Sequence, residues 1–325
     1  MRDDDSFLIL PFNLMTTKRK DSMEQKRKRR WLTLETGDLL PVLLLLPTLF
    51  VVTIVMIIPL IYGSYISLFN YRIGAPFNNE NFIGLGNYIK SLKDPIMWQS
   101  MKNTLLFAFL ATTGDLVIGT LIAVILLRIR SIFKNVLRAV YLIPLLVSPI
   151  IIGLIWKYML DPSSGPIYWM LSWFGWNIKQ FPGVTDSSTA LICVVIAHWW
   201  QVVPFVILVV TAGLVSIPAD LYEAAFLDGA GEFYKFFKIS FPLLANVYMV
   251  ILVTSGVDTL KVFDIIYALT GGGPANSTLS LSLYAYKTAF TANNMGYATA
   301  ISMLTMLATF LVFGIPFIRF SRREN

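Results

Sequence analysis

Residues 40–68, LPVLLLLPTLFVVTIVMIIPLIYGSYISL, contain no Asp, Glu, Lys or Arg. A bilayer core takes roughly 20 apolar residues as a helix, so this run is long enough to cross it. It is not alone. Apolar runs at about 103–127, 139–160, 189–216, 244–268 and 295–318 have comparable length and little charge, which gives six expected spans. Hydrophobic residues make up 56% of the 325-residue chain and charged residues only 14%, a balance no ordinary soluble domain can bury. The run lengths suit helices, not the short alternating segments of a barrel. The expected fold class is therefore an all-α, multi-pass membrane protein. Pro and Gly interrupt several runs, as they do where neighbouring helices or a water-filled cavity satisfy the freed backbone groups.

The distribution of Lys and Arg orients these spans. Most of the 26 basic residues fall in the N-terminal tail, the 128–138 loop, the 217–243 loop and the C-terminus. The positive-inside rule then places both termini and the 217–243 loop on the cytoplasmic face of the cell membrane. Residues 1–38 are expected to be a basic cytoplasmic tail, 39–320 the transmembrane domain and 321–325 a short cytoplasmic end. The KRKRR run at 26–30 suits either a topology signal or contact with anionic lipid, and the net charge of +7 needs no nucleic acid to explain it. Met15 and Met23 are possible alternative starts.

Several chemistries are excluded. One His and one Cys, His198 and Cys193, cannot assemble a zinc site or an intrachain disulfide. No Gly-x-x-x-x-Gly-Lys-Ser/Thr occurs, and the Gly-rich TGGGPANST reads as a tight turn after the fifth span, not a phosphate cradle. No nucleophile or metal constellation points to an enzyme.

The 217–243 loop carries the most information. ADLYEAAFLD has good helix formers after Pro218, expected at the first helical position. Gly229 then ends that helix, because without a side chain it adopts the left-handed conformation of a helix stop. A second short helix is expected from Glu232 to about Ser240, with Phe233, Phe236, Phe237 and Phe241 on one face and Pro242 leading to the fifth span. Residue types alone allow these aromatics to lie in the lipid interface or to dock a partner.

The pattern Glu223, Ala224, Ala225, Asp228, Gly229, Ala230, Phe236, Ile239, Pro242, Leu243 resembles the EAA motif of binding-protein-dependent ABC transporter permeases. FIGLGNYIK, YLIPLLVSPIIIGLIWKYML and KVFDIIYALTGGGPANSTLSLSLYAYKTAF resemble, in the same order, the maltose and glycerol-phosphate type of sugar permease, so the likeness extends over about 40–320. The extra N-terminal spans and large insertion of the maltose permease have no counterpart here. The resemblance implies a type I importer permease of six transmembrane helices, a second homologous permease subunit, an ATPase dimer that binds ATP and Mg, and an extracytoplasmic solute-binding protein that delivers a sugar. It implies that no cofactor is bound by this chain. Glu223, Ala224, Ala225, Asp228, Gly229, Ala230, Phe233, Phe236 and Phe237 are the expected contacts to the ATPase.

Polar groups within spans mark the expected substrate path, since an ionisable residue at mid-membrane costs about 3 kcal/mol on insertion scales. These are His198, Trp199, Gln201 and Phe205 in the fourth span and Ser255, Asp258, Thr259, Lys261 and Asp264 in the fifth. Aromatic faces with hydroxyl, amide and carboxylate groups suit a sugar. Asp258 and Lys261, three residues apart, equally suit mutual neutralisation, and His198 equally suits a hydrogen-bonded place in the core. Asp115 pairs with Lys261 or serves a polar cavity. Trp156, Trp169, Trp173 and Trp176 read as an interfacial belt. An ion-coupled secondary transporter, using Asp115, Asp258 and Asp264, is the alternative reading.

Overall fold

The structure, a computed structural model, describes residues 36–129, 131–175 and 181–314. The tail before Thr36, Trp176 and the C-terminal residues from 315 on lie outside the described residues. The chain divides into two compact units, Met1–Tyr62 and Gly63–Asn325. Among the described residues the secondary structure is helical, with one isolated β-bridge between Phe69 and Phe82.

In chain order the helices are α1 (Thr36–Val52), α2 (Ile58–Ile66), α3 (Gly86–Lys93), α4 (Pro95–Arg128), α5 (Ser131–Leu142), α6 (Pro149–Met159), α7 (Pro166–Ser172) and α8 (Ala190–Val215). Then come α9 (Ala219–Leu227), α10 (Glu232–Lys235), α11 (Phe241–Leu243), α12 (Ala245–Leu260), α13 (Asp264–Leu269), α14 (Leu281–Tyr286) and α15 (Met295–Thr309). A π turn joins α1 to α2, and others follow α10, α14 and α15.

Among the described residues, four helical stretches are long and apolar enough to cross a membrane: Leu43–Ile66, Pro95–Arg128, Ala190–Val215 and Met295–Gly314. The other two expected spans are bent. The third splits into Val136–Leu146 and Pro149–Met159 at 102°. Pro149 disfavours a helical conformation at Ser148, and Val147 and Ser148 are accordingly extended at ψ 137° and 139°. The fifth stops at Leu260, short of the expected 268, and its entry from Glu232–Leu243 is bent by 66°. Six spans result if each bent pair counts as one.

The second unit is built on α4 packed against α8, with α12 alongside. The buried stripe of α4, Thr104, Phe107, Ala111, Asp115, Gly119, Ala123 and Leu126, recurs at helical spacing and is mostly small. In lipid no hydrophobic force drives helices together, so close approach of small residues supplies the attraction. A Cβ on Gly114 would lie 2.1 Å from the Trp199 ring, and one on Gly119 would lie 2.5 Å from Val206. Trp199 Nε1 donates to the carbonyls of Ala111 (3.1 Å) and Leu110 (3.3 Å) across this contact. Gly153 likewise admits α13, where a Cβ would come within 2.6 Å of Ala268.

At the opposite end of α4 from Arg128, Asp94 caps the helix by accepting from the Ile96 amide (2.9 Å). Its other oxygen accepts from the hydroxyls of Tyr284 and Tyr297, the latter at 2.7 Å. Asn103 donates to the carbonyls of Asn276 (2.8 Å) and Leu279 (3.2 Å), and Thr104 Oγ1 accepts from the Leu281 amide (3.0 Å). The Gly-rich segment is thus a tight turn held by α4, with Gly271 and Gly272 at φ +60° and +89°.

Burial pushes the Asp94 carboxyl up, but the hydrogen bonds from Tyr284, Tyr297 and the Ile96 and Met97 amides outweigh it and hold the group below the ordinary carboxylate value. A depressed folded-state value stabilises the fold above about pH 4 and loses that contribution as pH falls through it. The melting-temperature gap between the wild type and Asp94→Asn is therefore expected to narrow below about pH 4; a gap constant down to pH 2 would contradict the clamp. Gly114→Ala is expected to cost about 1–3 kcal/mol by overpacking against Trp199. It should appear as a lower Tm of the detergent-solubilised protein, and an unchanged Tm would mean the helices can part freely there.

Candidate functional site

The 217–243 segment folds as a helical hairpin. Pro218 precedes α9 as its N-cap, one position earlier than expected. The α9 helix ends in a left-handed Gly229 at φ +75°, with Gly229 N–H bonded to Phe226 O (3.0 Å) and Ala230 N–H to Ala225 O (2.9 Å). Those two bonds form a Schellman stop, which satisfies carbonyls the helix end would otherwise orphan. The return arm is longer than expected. It stays helical from Glu232 through Pro242 to Leu243 before bending into α12. The hydroxyls of Tyr222 and Ser240 meet at 2.9 Å and tie the two arms together, and Lys235 Nζ lies 5.2 Å over the Phe226 ring.

The tip of this hairpin is apolar and open. Leu227 is 85% exposed and Phe233 83%, with Phe226, Tyr234 and Phe237 also exposed. Glu223, Ala224, Asp228 and Gly229 lie on the exposed surface, while Ala225, Ala230 and Phe236 are partly covered. Glu232, which sequence reasoning did not single out, accepts from Arg128 Nη2 at 2.8 Å and from Lys235 Nζ at 3.1 Å. Arg128 is the last residue of α4, 104 positions away in sequence, so only the folded chain brings this brace together.

The residues expected along the substrate path separate into two groups. The first is buried where α4, α8 and α12 meet. Asp115 Oδ2 accepts from Ser255 Oγ at 2.6 Å and lies 3.2 Å from His198 Nε2, and Thr112 meets Thr259 at 3.3 Å. Asp115 is 0% exposed, and its Oδ1 has no hydrogen-bond partner among the described residues. Asp115 therefore pairs with His198 and Ser255, not with Lys261. Trp199 packs on Gly114, and Phe205 packs against the core around Val206 and Val210. Gln201 donates to the Val147 carbonyl (3.3 Å) in the proline break. Of the tryptophans expected in a belt, Trp156 meets Trp200 at 6.3 Å, and Trp169 and Trp173 are exposed.

The second group lies at the C-terminal end of α12 and just beyond it, with Asp258 in the last turn of the helix. Asp258, Lys261 and Asp264 are exposed, and Lys261 Nζ sits 2.9 Å from Asp258 Oδ1. Lys261 borders an open groove of about 830 Å³ whose walls include Phe263, Tyr286, Phe290 and α15. Phe263 and Tyr267, like Tyr286 and Phe290, are four residues apart, which sequence displays, but the meeting of the two pairs is tertiary.

Residues 115–322 match the family model described as binding-protein-dependent transport system inner membrane component. The chain is 38% identical over 281 residues to the trehalose/maltose transport system permease protein MalF of Thermococcus litoralis, covering 86% of this chain and 92% of that one. It is 32% identical to the sulfoquinovosyl glycerol transport system permease protein SmoG of Agrobacterium fabrum, over 95% of this chain and 99% of that one. Among solved structures, the bacterial alginate ABC transporter in complex with an alginate pentasaccharide-bound periplasmic protein superposes with a TM-score of 0.75 at 22% identity, covering 86% of this chain and 93% of that chain. An open helical hairpin on a bundle of packed membrane helices, joined to these similarities, leads to one conclusion: the chain belongs to the binding-protein-dependent ABC importer permeases, a family of membrane transport subunits and not of enzymes.

Proposed function

We propose that this chain is one permease subunit of an ATP-driven importer for a sugar or oligosaccharide, seated in the cytoplasmic membrane with the 217–243 hairpin on the cytoplasmic side. Its partners are a second homologous permease, an ATPase dimer carrying ATP and Mg, and an extracytoplasmic binding protein that delivers the sugar. The observation that carries this reading is the apolar tip of the hairpin, closed by backbone hydrogen bonds at Gly229 and Ala230 and left exposed among the described residues. The names of the relatives, for trehalose/maltose and sulfoquinovosyl glycerol transport, support a sugar as cargo.

The geometry suggests how such a hairpin would work. Its return arm runs through the 66° bend into α12, and Glu232 grips Arg128 at the end of α4. A push on the hairpin therefore bears on the two helices that carry Asp115, Ser255 and Thr259. The polar knot between α4, α8 and α12 then passes the displacement to α8 as a rigid-body shift. An ion-coupled carrier would draw on Asp115, Asp258 and Asp264, but such a carrier has no use for an exposed docking hairpin.

Two results test this. A Cβ at Gly229 meets nothing within 4 Å, so Gly229→Asp alters the outer surface and carries only the left-handed backbone penalty of about 1–2 kcal/mol. It is expected to insert in membranes yet lose the co-purifying ATPase and sugar uptake; full uptake would sink the docking role. Uptake in cells should fall with ATP depletion and survive an uncoupler, whereas collapse with the proton gradient alone would favour the ion-coupled carrier.

A further inference from the structure

Four rings outside the expected substrate path touch one another at the exposed end of α12. Phe263 stacks on Tyr267 at 5.4 Å with 12° between planes, Tyr286 closes on Phe263 at 5.1 Å and on Tyr267 at 5.7 Å, and Phe290 follows Tyr286 at 5.1 Å. Such clusters ordinarily fill cores, but this one stays open: Tyr267 is 47% exposed, Tyr286 37% and Phe290 59%. Tyr286 and Phe290 also wall the groove of about 830 Å³, a volume in the range of small-ligand sites. We propose that Phe263, Tyr267, Tyr286 and Phe290 form a stacking platform for a neutral saccharide ring, with the Lys261–Asp258 pair at its edge. The proposal rests on the importer reading above and narrows its cargo.

Chemistry selects a sugar as occupant. Pyranose rings present apolar C–H faces that pack on aromatic surfaces and hydroxyl edges that exchange hydrogen bonds with charged groups. A partner helix packing its apolar face into the groove would strip water from the exposed Lys261–Asp258 pair, at a cost that the attraction between the two charges does not reliably repay. Sugar hydroxyls would resolvate both ends of the pair.

Charge selects a neutral sugar. The Lys261 ammonium is held by Asp258 at 2.9 Å, and the Lys287 ammonium, next to Tyr286, donates to the Gly271 carbonyl at 2.7 Å. Asp264, next to Phe263, is exposed. Lys261 and Lys287 against Asp258 and Asp264 leave these surroundings without net charge, so a carboxylated or sulfonated ring would give up its hydration with no net positive charge to replace it.

The test is saturation-transfer NMR on the complex of both permeases and the ATPase dimer, purified from its native membrane, freed of the extracytoplasmic binding protein and held in nanodiscs. The probes are a panel of neutral di- and trisaccharides, including trehalose and maltotriose, and trigalacturonate as the acidic counterpart. A neutral member is expected to receive saturation at its ring C–H protons. That signal should fall roughly tenfold in Tyr267→Leu and Tyr286→Leu, with co-purification of the ATPase unchanged. Trigalacturonate should give none until Asp258→Asn frees Lys261. The platform is overturned by a neutral-sugar signal indifferent to both substitutions, by no signal from any neutral sugar, or by a wild-type preference for trigalacturonate. Loss of the second permease on filling the groove with Ser302→Trp would assign the groove to a protein helix instead. In each of those cases uptake that still depends on ATP would leave the importer reading standing.

Discussion

The close approach of α4 and α8 at Gly114 governs the rest of this bundle. In a bilayer two helices gain little by hiding apolar side chains from lipid, so their attachment depends on backbone proximity and on the few polar bonds it permits. Gly114 leaves the space the Trp199 ring fills, and the indole then bonds to the Ala111 carbonyl on the same helix. With that spacing set, Asp115 one residue on lies within reach of His198 on α8 and of Ser255 on α12. A carboxylate at mid-bundle is costly unless bonded. Asp115 thus locks three helices into one relative position by having nowhere else to go.

The longest of these helices reaches two distant parts of the fold. Helix α4 ends at Arg128, braced by Glu232 of the hairpin, and begins at Asp94, braced by Tyr284 and Tyr297. A helix of its length extends about 50 Å at 1.5 Å per residue. One continuous element therefore touches both the hairpin and the Gly-rich turn. The exposed Arg128–Glu232 pair contributes little stability on its own, since surface ion pairs are worth about 0–1 kcal/mol. Under the proposed docking role its value lies in direction, since it links the hairpin to α4.

The polar residues of the fourth and fifth apolar runs divide by environment more sharply than by chemistry. His198, Ser255 and Thr259 are interior joints, satisfied by their own chain. Asp258, in the last turn of α12, and Lys261 and Asp264, past its end at Leu260, face open space. The backbone turns there, and the aromatic cluster around Phe263 forms beyond the turn. Gln201 meets the carbonyl that the proline break at 147–148 would leave unpaired.

Much of this was legible in the amino-acid order. Run length and the absence of charge determine which segments enter a membrane, because hydrocarbon tolerates neither charge nor unbonded backbone; the runs at 189–216 and 295–318 correspond closely to Ala190–Val215 and Met295–Gly314. Gly229 as a helix stop was equally readable, since only glycine takes φ +75° without strain. Prolines at 144 and 149 were visible, but the 102° bend they allow was not, because neighbouring helices decide whether a proline kinks a span or breaks it. Nor could sequence pair Arg128 with Glu232, Asp115 with His198, or Phe263 with Tyr286. Those contacts join residues far apart in the chain, and such partners are chosen by helix packing. Sequence by itself determined which runs are apolar enough to enter a membrane and where the hairpin turns; tertiary structure alone decided which polar groups are locked inside and which stay exposed, because that depends on how the helices pack.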